Sequence, residues 1–193
     1  MTKLLLVRHG ETDWNLGGRF QGHADPPLNE TGRAQAHELA AMLAERQLSA
    51  AYSSPLGRAF ETAEIVAAPH GIEPVPVDGL REVNVGEWEG LTRDDVEQRF
   101  PEQFERWLAF GQGWDRGETY DEMGRRVVAT LLELARGHDG ETVLCVTHGG
   151  PIRAALAAAA GISHSEARQN GPVIGNCYTA EFATEHEALR HLD

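Results

Sequence analysis

The chain has 193 residues, 41% hydrophobic and 24% charged, with a formal net charge of −13. A chain of this length suits one domain and buries roughly 70% of its extended surface without covalent staples. The acidic balance excludes the basic footprint that nucleic-acid binding needs, and the lack of an apolar run near the roughly 18 residues of a membrane span argues against a membrane partner.

In chain order, residues 3–7 read as a buried strand, Leu4-Leu5-Leu6-Val7, that ends in Arg8-His9-Gly10. Residues 31–45 read as a helix with Leu39, Ala40 and Leu43 on one face. Residues 51–53 form a short strand. Ser54-Pro55 then supplies an N-cap and a proline at the first helical position, opening a helix with Leu56, Phe60, Ala63 and Ala67 at helical spacing. Another short strand is expected at 74–77. The stretch 84–117 breaks the alternation of strands and helices. It holds Trp88, Trp107 and Trp114 and reads as an insertion over the sheet edge, either a lid or a helical excursion packed by its tryptophans. Within it, 92–110 read as one or two short helices broken near Pro101. Thr119 and Glu122 form a capping box at the start of a helix with Met123, Val127, Leu131 and Leu134 on one face. Residues 142–147 are a strand that ends in His148-Gly149, followed by a helix from Pro151 to Gly161. Late strands are expected at 176–182 and 189–192.

This alternation predicts a single α/β domain over 1–193, a mostly parallel sheet covered on both faces. Cys145 and Cys177 read as free thiols of a reduced compartment. With no signal-peptide pattern at the N-terminus, the expected location is the cytoplasm.

Two strands each deliver a histidine at a carboxyl end, the edge of an open α/β sheet where ligands bind. If those strands are neighbours, the imidazoles face each other. Arg8 stands beside the first histidine, and Arg58 falls in the first turn of the helix after the second strand. Two helix N-termini point toward the same edge, where their free N–H groups favour an anion. Glycines at 10, 149 and 150 let backbone approach a ligand. Arginines, histidines and helix ends together describe a phosphoryl pocket. There is no GxxxxGK[ST] loop and no Cys-x5-Arg loop, so a histidine is the best candidate nucleophile. Glu82 is the acid placed beside it to protonate a leaving oxygen, although alone it carries almost no signal.

Six blocks then match one family in order. Leu6-Val7-Arg8-His9-Gly10-Glu11-Thr12 with Trp14-Asn15 resembles the signature of the histidine phosphatase superfamily, also called phosphoglycerate mutase-like. Arg19-Phe20-Gln21-Gly22 with 27–32, 53–59 with Thr62-Ala63, Leu80-Arg81-Glu82 with 86–90, Gly117-Glu118-Thr119, and 146–150 are similar to its later blocks. The resemblance implies a three-layer α/β/α sandwich, a phosphorylated nucleophile at His9, a proton donor at Glu82, and a phosphate pocket completed by Arg8, Arg58 and His148. It implies further contacts from Asn15, Gln21, Gly22 and Gly149, and no metal or other cofactor.

The resemblance covers both phosphatases and cofactor-dependent mutases. Mutases of the family carry a longer insertion between the acid and the second histidine, with paired arginines, and usually asparagine two residues after that histidine. Here the segment is short, Arg125-Arg126 falls inside a predicted helix, and Gly150 replaces the asparagine. The chain therefore resembles the short bacterial phosphatases, acting on a small phosphorylated metabolite such as a sugar phosphate or phosphoglycerate, with a phosphoglycerate mutase as the alternative. A zinc hydrolase using His9, His148 and Glu82 is a weaker rival, because two arginines in the pocket would repel the metal. An inactive binding module would be expected to lack one of these residues. The sequence leaves open whether 168–178 return to the pocket, and whether an edge strand supports a homodimer.

Overall fold

The computed structural model describes residues 1–185 and 188–192. Six strands form one sheet in the order β3-β2-β4-β1-β5-β6: β1 Lys3–Arg8, β2 Ala50–Ser53, β3 Val75–Pro76, β4 Thr142–Thr147, β5 Thr179–Glu185 and β6 Ala188–Leu192. The first four run parallel, and β5 and β6 are antiparallel additions at one edge. The sheet is thus mixed but mostly parallel, as the alternation predicted.

Side chains alternate across the sheet and fill two cores. Leu5, Val7, Leu144 and Val146 pack under α2 (Glu30–Leu43) and α3 (Gly57–Ala67), against Leu39, Leu43, Ala59 and Val66. On the other face, Leu4, Leu6, Val143 and Cys145 pack under α6 (Tyr120–Arg136) and α7 (Gly149–Ala160), against Met123, Val127, Leu131 and Ile152. Neither cysteine is bonded to another.

The chain leaves β1 toward α2 on one face and leaves β4 toward α7 on the other. Because β1 and β4 are neighbours in register, with Arg8 opposite Thr147, the connections part between them and open a crevice at their carboxyl ends. The candidate residues sit at that crevice.

Several boundaries differ from the sequence reading. α3 begins at Gly57 with Leu56 as its cap, not at Pro55, because the Ser54 hydroxyl is turned to the Leu56 N–H and to His148. α7 begins at Gly149 with His148 at the cap, and Pro151 sits inside the first turn, where its missing N–H costs nothing. Two short helices were not foreseen, α1 (Asp13–Leu16) and α8 (His164–Asn170), each opened by a capping box.

The 84–117 stretch contains α4 (Arg93–Arg99) and α5 (Pro101–Phe110), divided before Pro101. Its tryptophans enter the same core as α6 and α7. Trp88 is fully buried and meets Phe20, Trp107 and Trp114 edge to face at 5.1, 5.9 and 5.4 Å. Its indole N–H is held by Gln103 at 2.7 Å. No described helix is long and apolar enough to cross a membrane.

Trp88→Ala should lower the unfolding free energy by about 3–5 kcal/mol. Urea denaturation reads this directly; a cost under about 1 kcal/mol would mean that the segment packs independently of the core.

Candidate active site

β1 and β4 deliver His9 and His148 to a single point. Their ring centroids are 5.1 Å apart, edge to face, and the His9 amide donates to the Thr147 carbonyl at 3.0 Å. Both imidazoles are buried. His9 Nδ1 lies 2.7 Å from the carbonyl of Gly10. A carbonyl only accepts, so Nδ1 carries the hydrogen and Nε2 keeps its lone pair. Burial, and then the charges of Arg58 and Arg8, hold His9 well below the usual histidine range. His148 is lowered in the same way, by burial first and then by Arg58. Its Nε2 meets Ser54 Oγ at 2.8 Å, and its Nδ1 is buried without a hydrogen-bond partner.

A cavity of about 390 Å³ opens on His9. Arg8, Asn15, Gln21, Gly22, Arg58, Glu82 and Gly149 line it with His9, and His148 packs edge to face against the His9 ring. Arg8 and Arg58 are each anchored on one side and left without a partner at Nε on the other. Arg8 Nη1 donates to Ile174 O, and its Nε has no partner. Arg58 donates from Nη1 to Ala24 O at 2.8 Å and from Nη2 to Gly22 O at 2.9 Å, while its Nε has no partner. Burial lowers Arg58 to about 10, so the guanidinium stays charged at neutral pH. Asn15 accepts from the Thr12 amide and hydroxyl, both at 3.0 Å, and from Asn176 Nδ2 at 3.3 Å. With its oxygen engaged, the Asn15 side chain has Nδ2 to offer. Gln21 Oε1 is buried without a partner.

Glu82 faces these donors from a loop pinned on several sides. Its oxygens accept from the amides of Val83 at 2.9 Å and Gly150 at 3.2 Å. Its own carbonyl accepts from His23 Nε2 at 2.9 Å. Thr147 Oγ1 donates to Leu80 O at 2.6 Å, tying the loop to the end of β4. Arg126 donates to the carbonyls of Gly79 and Arg81 at 2.9 and 3.1 Å and pairs with Glu118 at 2.6 Å.

The glycines work differently from the sequence reading. Gly10 makes room for another part of the chain: a Cβ there would lie 2.4 Å from the Gly32 carbonyl oxygen at the start of α2. At Gly150 a Cβ would lie 2.2 Å from Glu82 Oε1, so a side chain would displace the carboxylate. Gly149 and Gly150 both line the cavity, but only at Gly149 would a Cβ find room, with nothing nearer than Arg8, 3.8 Å away. The N-terminus of α3 is likewise not free, since the Gly57 amide donates to Asp25 at 2.9 Å.

The family model of the histidine phosphatase superfamily (branch 1) matches residues 4–192. The chain belongs to the histidine phosphatase superfamily. Phosphoserine phosphatase 1 of Hydrogenobacter thermophilus is 36% identical, over 98% of this chain and 100% of that protein. A metal-independent phosphoserine phosphatase of Arabidopsis thaliana is 38% identical, over 80% of this chain and 67% of that protein. The structure of YhfR from Bacillus stearothermophilus superimposes with a TM-score of 0.92 at 34% identity, covering 99% of this chain and 95% of that one. The chain is therefore a phosphatase of the superfamily, with the phosphoglycerate mutase-like fold that its sequence motifs implied.

Some of the histidine phosphatase cavity was not legible in the motifs. Asn176, from the stretch left open above, donates to the His9 carbonyl at 3.2 Å, so 168–178 do return to the site. Tyr120, Arg153, His164 and Arg168 line the cavity away from His9. Thr62 joins the Gly10 amide (3.1 Å) to the Arg58 carbonyl (2.7 Å), and only its place in a motif block pointed to it. Among the described residues, no three His, Cys, Asp or Glu side chains group as metal ligands would. His148 and Glu82 are already engaged with Ser54 and with two amides, which removes the geometric basis for a zinc triad.

Both imidazoles are buried in the neutral form, while in the unfolded chain each takes up a proton near pH 6.5. The unfolded state thus binds more protons below that pH. Stability present in full above it is lost as the pH falls, by up to about 1.4 kcal/mol per pH unit for each imidazole. Urea unfolding between pH 7.5 and 5 should give a shallower pH slope for His9→Asn than for the parent, by about one imidazole's share. Equal slopes would contradict the burial of a neutral His9. Gly150→Ala should cut kcat more than about tenfold with the fold retained by circular dichroism; parental turnover would mean that Glu82 tolerates displacement.

Proposed function

We propose that the chain hydrolyses small phosphomonoesters by two successive in-line displacements at phosphorus. His9 Nε2 attacks, the N–P bond forms and the P–O bond to the leaving group breaks. Glu82, protonated, gives its proton to the departing oxygen, so the alcohol leaves neutral. As the carboxylate, Glu82 then takes a proton from water. The water oxygen attacks phosphorus, the N–P bond breaks, and inorganic phosphate and neutral His9 are regenerated. The observation that carries this reading is the Nδ1 contact to Gly10 O, which leaves a lone pair on Nε2 in a cavity that also holds two arginines. The same carbonyl steadies the positive charge that develops on the ring as the N–P bond forms.

The equatorial phosphoryl oxygens would satisfy the buried, unpartnered Nε atoms of Arg8 and Arg58, the unpartnered Nδ1 of His148 and the Asn15 amide. Gln21, Gly22 and Gly149 lie where the rest of the ester would rest, with Val85 and Trp107 of the 84–117 segment covering it. No metal or cofactor is needed for either displacement. The phosphoserine phosphatases among the relatives support a small phosphorylated metabolite as substrate. Mutase chemistry is disfavoured because Arg126 is engaged in bracing the Glu82 loop, while Arg125 is exposed and does not line the cavity. Neither is available to grip a second group of a bisphosphorylated intermediate.

His9→Ala should abolish phosphate release, and rapid alkaline quench of the parent with radiolabelled substrate should trap a base-stable phosphoenzyme that loses its label on later acidification. Near-parental turnover by His9→Ala would refute the nucleophile. Glu82→Gln should slow alkyl phosphates at least about tenfold more than p-nitrophenyl phosphate, whose leaving group needs no proton. An equal loss on both would remove the acid role. Turnover should persist in excess chelator; its loss there would revive the metallohydrolase.

A further inference from the structure

The phosphoryl pocket occupies only one end of the cavity. Arg153 lies four residues beyond Gly149 on α7, about 6 Å along the helix axis, and faces the cavity with Arg168 and His164 of α8. These residues belong to another part of any bound ester than its phosphorus.

Their charge is not neutralised. The chain carries 30 acidic and 17 basic residues, and surface arginines such as Arg33, Arg46 and Arg190 find carboxylates. Arg153 and Arg168 make no ion pair among the described residues. Arg153 Nη1 donates to Ala167 O at 3.1 Å, which joins α7 to α8. The Arg168 guanidinium lies over the Trp107 ring at 4.3 Å, and its Nη1 is buried without a hydrogen-bond partner. His164 stacks on Tyr120 at 4.2 Å, and its Nε2 is also buried and unpartnered. Burial, then Arg153 and Arg168, push His164 down to about 4, so the positive charge here is that of the two arginines. Two carboxylates face the cluster: Glu82, held by amides, and Asp121, exposed on α6. Arg153 and Arg168 are each half-buried, and neighbouring guanidinium groups partly withdrawn from water repel each other unless an anion joins them. Arg168, held over an indole, is already ordered for such a partner.

We propose that Arg153 and Arg168, backed by His164 and Trp107, form a second anion subsite, so that the preferred substrate is a phosphomonoester carrying a further anionic group a few bonds from its phosphorus. That group is a carboxylate or a second phosphoryl. The inference rests on the reading of the His9 end as the phosphoryl site, and it assigns the selective contacts to α7 and α8.

Three non-hydrolysable probes of equal chain length test it by calorimetric titration: propylphosphonate, 3-phosphonopropanoate and propane-1,3-bisphosphonate. At least one doubly anionic probe should bind the parent about tenfold or more tightly than propylphosphonate, and which one does so identifies the anion. Arg153→Met and Arg168→Met should each remove most of that preference, with the loss falling about tenfold harder on the doubly anionic probe, and Arg168→Lys should restore part of it. Equal affinities for all three probes in the parent, or variants that weaken all three alike, would overturn the subsite. Failure of propylphosphonate to compete with p-nitrophenyl phosphate would strike the His9 assignment itself, and the subsite with it.

Discussion

The parallel pairing of β1 with β4 is the constraint on which the site depends. With Arg8 opposite Thr147, the next residue of each strand is a histidine, and the two rings meet at 5.1 Å. A parallel ladder fixes this match more firmly than any single contact between the rings, since a slip of one residue would turn every side chain of β1 to the other core. Leu4 and Leu6 would then exchange cores with Leu5 and Val7, and both hydrophobic layers would be lost with the site. Fold stability and active-site register are therefore one requirement. The loop carrying Glu82 is attached to the same ladder through Thr147 and Leu80.

The electrostatics follow from that placement. An acidic chain has abundant carboxylates to neutralise arginines, yet those nearest His9 are anchored chiefly by backbone carbonyls: Arg8 by Ile174, and Arg58 by Gly22 and Ala24, with Asp25 3.7 Å away. Carbonyls orient a guanidinium without cancelling its charge. Burial first, and then the positive field that remains, hold both imidazoles in the neutral form that the proposed attack requires, and the same field would favour a phosphoryl dianion. On the proposed mechanism the same two arginines serve the nucleophile before the substrate arrives and the substrate afterwards.

Much of this was legible in the sequence because the signals were local. The apolar runs before His9 and His148 identify β1 and β4, and residues 142–147 are the observed strand without adjustment. Arg58 was placed in the first turn of its helix even though that helix starts two residues later than its proline implied. The contacts that escaped notice depend on tertiary structure. Ser54 reads as an N-cap by type, but its hydroxyl goes to a histidine 94 positions away. Arg153 and Arg168 have the spacing and composition of ordinary solvated helix residues, and nothing local shows that α7 and α8 turn them into one cavity. Trp88 and Trp107 looked equally suited to a lid or to a packed excursion; their place in the core appears only once Phe20 is brought against them.

The division of labour within the cavity has a physical basis. Residues proposed to act on phosphorus come from the ends of β1 and β4, from the first turn of α3 (Arg58), from the single turn of α1 (Asn15) and from the loop of Glu82, which is pinned by several hydrogen bonds. In-line displacement tolerates little misplacement, so rigidity there is worth its cost in sequence freedom. The residues proposed to recognise the remainder of the substrate come instead from α7 and short α8, backed by Trp107 of α5, and their side chains are held by stacking and by one carbonyl contact. Such contacts can change without disturbing the ladder. Arg126 makes the same point from the other side. An arginine that could have gripped substrate is tied to Glu118 and to three carbonyls of the acid's loop, so its charge steadies Glu82 and is withdrawn from recognition. On the proposed subsite, substrate choice falls to α7 and α8, whose arginines make no ion pair among the described residues, and not to the motif around His9.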